Sequence, residues 1–350
     1  MSLESINIES LLKSYSVTGF SMALIENGEL KKDEQYGLLK AGKCERVDRN
    51  SLFNACSISK VCAAILVLKL AEDGVLHIDE DVNKYLVSWK LPQTTMQKVT
   101  LRHLLSHQSG ISDPDGSFAE WQPYGKIPLM AELLSGQTVY CARPIEISYE
   151  AGSDFRYSDA GYCVIQQIVE DATGRSFEDL AIELVFQPLD MNSSMFFQHP
   201  PKAMTRNIAS GHDQQGQVIQ GDYPIYPYPA SSGLWTTPSD LAKLVIEMIH
   251  ALRGDSKIGL SAESISDMIK SQGNTSWAGL GVFLEGTGDQ VEVSSLGWGA
   301  GFQSMLVAYP QKGTALIMMT NTDSGIHQLK GMMGKIYYSL ADFLQAEENK

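Results

Sequence analysis

Two pairs of residues in this sequence have the spacing of a serine nucleophile and a lysine base. The pattern serine, any two residues, lysine occurs at Ser10 and Lys13 and again at Ser57 and Lys60. In a helix this spacing puts both side chains on one face, where a neutral amine can accept the hydroxyl proton. On the pattern alone, the alternative for Ser57 and Lys60 is an N-capping serine followed by a surface lysine.

The surroundings of the two pairs differ. Ser57 follows a loop and begins a strongly apolar segment, whereas Ser10 has no such setting. A helix start would direct the positive end of the helix dipole at Ser57, and the apolar segment would bury Lys60. Burial disfavours the ammonium form, and a base must be neutral. We therefore expect Ser57 and Lys60 to be catalytic and Ser10 and Lys13 to lie on an exposed helix face.

A tyrosine is a third candidate for proton transfer. Among the fourteen tyrosines, Tyr157 alone is followed two residues later by an aspartate or asparagine, in Tyr157-Ser158-Asp159 just before an apolar helix. A phenol beside an ammonium group can exist partly as phenolate and share a proton with it. The alternative is a core tyrosine with Asp159 as the cap of the following helix.

Other catalytic patterns are absent from the sequence or incomplete. It has no G-x-S-x-G elbow, no dinucleotide-binding glycine pattern and no phosphate-binding loop. His103 and His107 have the spacing of a zinc pair, but Leu104 stands where a zinc peptidase has its glutamate, so we expect a structural role. Residues 113–116 hold too few carboxylates for a calcium loop and are predicted to form a turn. We expect neither a metal nor an organic cofactor.

The elements that would position Ser57 begin with a hairpin. Residues 19–37 read as two strands around Asn27-Gly28, a dipeptide that suits the left-handed angles of a tight turn. Residues 57–73 place apolar side chains at helical spacing, and Gly74 supplies a left-handed helix end. This predicts a strand pair followed by a core helix that starts at Ser57.

The middle of the chain is predicted to be mostly helical with long loops. Residues 222–229 contain three prolines and three tyrosines, so this stiff loop either lines an acyl pocket with aromatic faces or is a rigid linker. A threonine cap followed by Pro238 predicts the start of a helix that runs to about Leu252. Further helical stretches are expected at residues 101–106, 161–173 and 177–186.

Strands at both ends of the chain with helices between them predict an α+β fold, an antiparallel sheet flanked by helices with a mostly helical second domain. We expect residues 1–75 and 230–350 to form one discontinuous sheet domain and residues 76–229 the helical domain, with the active site at the seam. In the C-terminal part, short alternating runs predict strands at residues 279–284, 290–296, 302–309 and 314–320, and a final helix is expected at residues 326–346.

Composition and charge exclude several classes of partner. Of the 350 residues, 43% are hydrophobic and 19% charged, which is typical of a folded chain. Lys and Arg number 27 against 41 Asp and Glu, a net charge of −14 that repels nucleic acid and anionic membrane surfaces. The longest apolar run, residues 61–68, is far shorter than the roughly 18 residues that a membrane span needs.

The cysteines and the N-terminal residues favour a cytoplasmic protein. Five cysteines without a C-x-x-C pair suggest neither a disulfide framework nor a zinc ribbon, and reduced thiols are the simpler interpretation. The first twenty residues lack the basic start and continuous apolar stretch of a secretory signal. We therefore expect a cytoplasmic location, unless a leader has been removed.

Four segments together resemble the serine β-lactamase and penicillin-binding superfamily, in the branch of class C β-lactamases, D-alanyl-D-alanine carboxypeptidases and related esterases. The resemblance covers about residues 17–345 and implies an antiparallel sheet flanked by helices, a helical domain and a site between them. It makes Ser57 the acylated nucleophile, Lys60 its base and Tyr157 the group that moves protons to the leaving group. The segments, in family order, are Ser57-Ile58-Ser59-Lys60, residues 104–110, Tyr157-Ser158-Asp159 and residues 232–241.

Two positions depart from the family pattern. Where the lactamases carry a lysine or histidine for a substrate carboxylate, this sequence reads Leu296-Gly297-Trp298-Gly299-Ala300-Gly301, and Trp298 offers one indole donor without charge. This is similar to a variant found in some esterases, which implies an oxyanion hole of the Ser57 and Gly301 amides. The alternative is a glycine-rich bulge with Trp298 as a packing residue.

The second departure is Asp159, where the family more often has asparagine. An ionised aspartate cannot donate to a substrate carbonyl, and its charge favours a protonated Lys60. We expect a small-molecule acyl substrate, an ester or another neutral compound. The alternatives left open are a β-lactamase, a D-Ala-D-Ala carboxypeptidase or D-aminopeptidase, an acyl transferase, and a penicillin-binding or sensing module with slow turnover. The sequence makes no prediction of the oligomeric state.

Overall fold

A six-stranded antiparallel sheet forms the centre of the computed structural model, which describes residues 6–92, 98–120, 127–197 and 206–345. The strands are β1 (Gly19–Glu26), β2 (Glu29–Gly37), β3 (Phe53–Asn54), β4 (Met195–Phe196), β5 (Leu234–Thr236), β6 (Phe283–Glu285), β7 (Glu292–Gly299), β8 (Phe302–Tyr309) and β9 (Thr314–Thr320). The large sheet has the order β2-β1-β9-β8-β7-β6, and β3, β5 and β4 form a small second sheet.

The two ends of the chain meet in the large sheet. The predicted hairpin is present, with Asn27 and Gly28 at φ values of 55° and 76° in its turn. Strand β1 then pairs with β9, from Phe20 opposite Thr320 to Ile25 opposite Ala315. The sheet is thus completed by strands from opposite termini, as the predicted α+β class requires.

Helices cover both faces of this sheet. Side chains alternate along β1, so that Met22 and Leu24 lie in one apolar core and Ala23 and Ile25 lie in the other. The helices are α1 (Ile8–Ser14), α2 (Ser59–Glu72), α3 (Leu101–Leu105), α4 (Met130–Leu134), α5 (Asp159–Thr173), α6 (Phe177–Ala181), α7 (Pro229–Ser232), α8 (Pro238–Leu252), α9 (Ala262–Met268) and α10 (Met332–Leu344). Core residues of α10 lie in the first core and those of α2, α5 and α8 in the second.

Helix α2 is the predicted core helix, and it is buried on nearly all sides. It begins two residues later than predicted, because Cys56–Ile58 forms a 3₁₀ turn that carries Ser57. Gly74 follows its end with a φ of 73°, the left-handed conformation that the sequence indicates. Ser10 and Lys13 lie exposed on α1, as expected.

Helices α3 to α6 fall between residues 76 and 229, with a π-helical turn at Ile182–Phe186 and the short strand β4. The division into a sheet domain and a helical domain stays a prediction. Among the described helices, none combines the length and apolar character that crossing a membrane requires. The five cysteines are free thiols, and Cys44 alone is exposed.

The strand predicted at residues 279–284 and the predicted final helix have different bounds in the structure. The strand expected at residues 279–284 is confined to Phe283–Glu285, because the preceding loop turns onto α2 instead of pairing. Gly281 makes this approach possible: its φ is 78°, and a Cβ there would lie 2.6 Å from the Ala64 methyl carbon. The final helix begins at Met332, after a 3₁₀ turn at Gln328–Lys330 and an extended Gly331. Its predicted last residue, 346, lies outside the described residues.

The N-cap of α8 provides a test of the fold. The Thr237 hydroxyl accepts a hydrogen bond from the Asp240 amide at 3.1 Å, so Thr237→Ala is expected to lower the free energy of unfolding by about 1 kcal/mol. Urea denaturation measures this loss. Thr237→Ser keeps the oxygen and should restore most of the stability, and equal losses in both variants would refute the capping role.

Candidate active site

Ser57 lies in a tight turn between β3 and α2. Cys56, directly before it, has a φ of 49°, which is unusual for a residue with a side chain. The Asn54 side-chain oxygen accepts a hydrogen bond from the Cys56 amide at 2.9 Å, and the Ser59 hydroxyl donates to the Cys56 carbonyl at 2.6 Å. The Ser57 hydroxyl caps neither the 3₁₀ turn nor α2, so the interpretation of Ser57 as an N-capping serine is wrong.

Lys60 is buried one turn after Ser57, with 3% of its surface exposed. Its Nζ lies 3.3 Å from the Ser57 hydroxyl oxygen and 2.6 Å from Asp159 Oδ1. It also lies 3.1 Å from both the carbonyl and the hydroxyl oxygen of Ser231. The alternative of a surface lysine is therefore wrong, and the amine is oriented by acceptors on three segments of the chain.

The Asp159 carboxylate controls the ionisation of Lys60. Burial acts to lower the pKa of Lys60, as the sequence predicts, but the charges of Asp159 and Tyr157 outweigh it and raise this pKa above the usual lysine value. Burial likewise acts to raise the pKa of Asp159, yet the Lys60 ammonium holds it below the usual value. At neutral pH the two residues are therefore an ion pair, and Lys60 is not the neutral amine that burial alone would give.

Tyr157 lies against the same ammonium group. The Lys60 Nζ is 4.9 Å from the centre of its ring, and Tyr157 lines a small pocket together with Ser57 and Lys60. Burial raises the pKa of the phenol, while the Lys60 charge and hydrogen bonds with Lys60 and Ser57 oppose the rise. The fold thus brings Tyr157 to Ser57 and Lys60, although Tyr157 lies 97 residues after Lys60 in the sequence.

Asp113 anchors the segment that carries Tyr157 and Asp159, a role that the sequence analysis missed. Its carboxylate accepts hydrogen bonds from the Ser158 hydroxyl at 2.6 Å and from the Asp159 and Ala160 amides at 2.8 and 3.1 Å. A carboxylate there satisfies amides at the start of α5 and interacts favourably with the helix dipole. Ser158 is the N-cap, because its hydroxyl accepts from the Gly161 amide, so Asp159 is not the cap.

His107 supports the site as a neutral packing residue. Burial, reinforced by the Lys60 charge, lowers the pKa of His107 to about 3. Its Nδ1 accepts a hydrogen bond from the Ser158 amide at 3.1 Å, and its ring stacks on Tyr157 with centroids 4.3 Å apart. His103 caps the start of α3 with Thr100. The described residues contain no cluster of His, Cys, Asp and Glu side chains suited to a metal ion.

Strand β7 supplies another wall of the pocket and carries Trp298, which the family resemblance assigns to substrate binding. Ser295 and Leu296 line the pocket with Ser57, whereas Trp298 does not. Gly297 lies directly against the Ala55 carbonyl on the Ser57 side, where a Cβ would approach it to 2.2 Å. Trp298 is 44% exposed and its indole donates to Asp323 at 2.8 Å, so its role in substrate binding stays a prediction.

Gly301 follows β7, beyond the two residues of that strand that line the Ser57 pocket. It occupies the turn between β7 and β8 with a φ of 74°, and a Cβ there would meet the Gly211 backbone at 2.6 Å. Its carbonyl accepts a hydrogen bond from the His212 amide at 3.4 Å. The turn packs against the loop that carries Gly211 and His212, and the assignment of the Gly301 amide to the oxyanion hole stays a prediction.

The proline-rich loop of residues 222–229 packs under this turn. The Tyr226 hydroxyl accepts a hydrogen bond from the Ala300 amide at 3.1 Å, and the Tyr228 hydroxyl donates to the Ala119 carbonyl at 2.5 Å. Both tyrosines are buried and neither lines the Ser57 pocket. Their contacts favour a supporting role over an aromatic acyl pocket.

Known proteins are similar to this chain in sequence. The family model for Beta-lactamase matches residues 7–332. Protein flp of Staphylococcus aureus (strain N315) is 26% identical over 234 residues, which are 66% of this chain and 44% of that protein. Penicillin-binding protein 4* of Bacillus subtilis (strain 168) is 25% identical over 349 residues, with 90% of this chain and 70% of that protein covered. The chain thus spans less than half the length of the flp protein.

Solved structures confirm the predicted fold. The octameric penicillin-binding protein homologue from Pyrococcus abyssi superimposes with a TM-score of 0.76 at 24% identity, over 98% of this chain and 77% of that one. SurE with D-Leu gives a TM-score of 0.75 at 21% identity, over 98% and 75%. At these identities the likeness shows the fold alone.

The matched family range contains Ser57, Lys60 and Tyr157 together with all six strands of the large sheet. It also has the motif order on which the predicted resemblance rests. The chain therefore belongs to the Beta-lactamase family, the family of serine hydrolases and penicillin-binding proteins that its motifs predict.

Proposed function

We propose that this chain hydrolyses esters or other neutral acyl compounds through an acyl-enzyme on Ser57. The observation that carries the proposal is the contact between the Ser57 hydroxyl and a buried Lys60 amine that Asp159 and Ser231 orient. A serine hydroxyl beside an oriented lysine and a phenol supplies a nucleophile and, once Lys60 has lost its proton, an acceptor within reach, as covalent catalysis requires.

Two chemical steps follow from this arrangement. In acylation, Ser57 Oγ bonds to the carbonyl carbon, and the hydroxyl proton passes through Lys60 and Tyr157 to the leaving oxygen as the ester C–O bond breaks. In deacylation, a water oxygen bonds to the acyl carbon and its proton passes to the same pair, which returns it to Ser57 Oγ as the Oγ–acyl bond breaks and the acid is released. We assign the protons to the pair because groups this close titrate together.

The free edge of β7 is suited to the oxyanion that develops in both steps. Strand β6 pairs with β7 only as far as Ser294, and Ser295 and Leu296 line the pocket beyond that point. We propose that the oxyanion accepts hydrogen bonds from the Ser57 amide and from an amide of β7 within residues 295–299. Fixed backbone donors of this kind stabilise the tetrahedral intermediate because they need no reorientation.

The charges in the pocket support a neutral substrate. Among the described lining residues, Lys60 is the charged group, and Asp159 compensates it. The family resemblance implies a lysine or histidine for a substrate carboxylate at the position of Trp298, whose indole carries no charge. The net charge of −14 adds a general repulsion of anions.

Penicillin binding with slow turnover is the second candidate. The Bacillus subtilis relative is named a penicillin-binding protein, and its similarity extends over 90% of this chain. The Asp159 carboxylate also favours the Lys60 ammonium, which leaves less neutral amine to activate the deacylating water. Both properties fit a site that acylates and then deacylates slowly.

The assignment of the nucleophile can be tested by intact mass after exposure to a fluorophosphonate. Wild type should gain one adduct, and Ser57→Ala should gain none and lose about 1,000-fold or more in esterase kcat. Ser10→Ala, which alters the other Ser-x-x-Lys pair, should label like wild type. Labelling that persists in Ser57→Ala would overturn the assignment.

Substrate choice separates the two candidates. Short p-nitrophenyl esters should be cleaved with a kcat/KM at least about tenfold above that for benzylpenicillin, a difference of about 1.4 kcal/mol in transition-state binding. Initial rates measure kcat/KM for each substrate, and the mass of the penicillin-treated protein shows whether a stable adduct forms. Rapid penicillin turnover without ester cleavage would refute the ester proposal, and a stable penicillin adduct would favour penicillin binding with slow turnover.

The Lys60–Asp159 ion pair predicts the pH dependence. Because Asp159 raises the pKa of Lys60, activity that needs neutral Lys60 should rise towards alkaline pH in wild type. Asp159→Asn removes the carboxylate charge, so the rising limb of the kcat/KM profile should move to lower pH. Asp154→Asn, which removes an exposed carboxylate paired with Arg156, is the charge-matched control and should leave the profile in place. An unmoved profile in Asp159→Asn would contradict this electrostatic role.

A further inference from the structure

Three aromatic side chains from two separate segments meet beside the Ser57 pocket. Phe155 precedes α5, while Trp277 and Phe283 flank the loop that leads into β6. The Phe155 ring centroid lies 4.2 Å from that of Trp277 and 6.4 Å from that of Phe283, and Trp277 and Phe283 lie 6.1 Å apart. These three residues are called the aromatic wall below.

The aromatic wall is partly open to solvent. Trp277 is 45% exposed, and Phe155 and Phe283 are half-buried. Three adjoining rings at the surface form an apolar patch, and such patches commonly mark binding sites. Rings at these separations are also arranged to receive another ring by offset or edge-to-face contact.

The aromatic wall is continuous with the catalytic residues. Phe283 lines the Ser57 pocket, and its ring centroid lies 6.5 Å from that of Tyr157. The loop that carries it lies close to Lys60, since a Cβ at Gly281 would be 3.1 Å from the Lys60 carbonyl oxygen, and the Gly281 amide donates to the Leu105 carbonyl at 3.0 Å. The wall therefore begins where the proposed proton donor Tyr157 lies.

This placement indicates which part of a substrate reaches the wall. A group that protonates the leaving oxygen must lie within hydrogen-bond reach of it, so the leaving alcohol extends past Tyr157. We infer that the aromatic wall binds the alcohol part of a neutral ester, and that this alcohol is aromatic or bulky and apolar. The inference rests on the proposed ester hydrolysis at Ser57 and adds the substrate class.

Charges near the wall agree with an uncharged alcohol. Arg156 is the cation in the same segment as Phe155, and its guanidinium lies over the Tyr149 ring at 4.4 Å and pairs with Asp154 at 3.5 Å. It is thus already engaged by an aromatic face and a carboxylate. The wall itself consists of hydrocarbon rings and one indole N–H.

The test compares two esters that form the same acetyl-enzyme, benzyl acetate and ethyl acetate. In each, the Ser57 Oγ–carbonyl bond forms, the ester C–O bond breaks, and the alcohol leaves with the proton from Ser57. Deacylation is identical, so a difference in kcat/KM reports the alcohol alone. Trp277→Ala should lower kcat/KM for benzyl acetate about tenfold and leave ethyl acetate within about twofold.

Two further variants complete the experiment. Phe283→Leu removes a ring but keeps an apolar side chain, so it should show the same selective loss while remaining folded by circular dichroism. Tyr338→Ala alters another exposed aromatic, on α10, and should behave like wild type towards both esters.

The outcomes distinguish the role of the aromatic wall from the proposed ester hydrolysis at Ser57. If wild type hydrolyses both esters and the wall variants lose kcat/KM equally for both, or lose none, the role of the aromatic wall is refuted while catalysis by Ser57 stands. If the wall variants instead lose kcat/KM selectively for ethyl benzoate relative to ethyl acetate, the aromatic wall binds the acyl group, and the inference about the alcohol is refuted. A wild type that cleaves neither ester and takes no fluorophosphonate would refute the proposed function itself.

Discussion

A buried ammonium group must be paired, and the partners of Lys60 come from elements that are distant in sequence. Asp159 at the start of α5 supplies the opposite charge, and Ser231 on α7 supplies two further acceptors. Breaking a buried ion pair by removing one partner typically costs about 3 to 5 kcal/mol. The packing of α5 and α7 against α2 is thus tied to the same contacts that orient the lysine towards Ser57.

The surrounding backbone holds that arrangement in place. Asp113 fixes the start of α5 from a loop 45 residues earlier, by accepting from the hydroxyl of Ser158 and the following amides. On the other side, the Ser304 hydroxyl on β8 donates to the Ala55 carbonyl at 2.8 Å, beside the left-handed Cys56. The nucleophile is therefore supported by the sheet and by the helices together, and its unusual backbone conformation is fixed from both sides.

The pocket has two different walls because it lies between two kinds of structure. Strand β6 pairs with β7 only as far as Ser294, and we propose that backbone amides of β7 beyond that point bind the reacting carbonyl. The loop before β6 and the segment before α5 offer side chains instead, and theirs are aromatic. In the proposed site, the polar backbone of β7 orients the reacting bond, and the aromatic side chains on the other side contact a substituent of the substrate. Small-molecule sites commonly combine a few polar groups with apolar surface in this way.

Local sequence determined the hairpin, the core helix, the capped helix α8 and the identity of Ser57, Lys60 and Tyr157 as candidates. These signals act over one turn of helix or one strand pair, through turn residues, caps and apolar spacing. Local sequence could not determine that Lys60 is charged. Burial lowers its pKa and the Asp159 charge raises it, and which effect is larger depends on how close the two side chains lie in the folded chain. Nor could local sequence show that Trp298 donates to Asp323, or that Asp113 and the aromatic wall lie beside the pocket. Those placements depend on strand register and on packing between distant segments, which only the tertiary structure fixes.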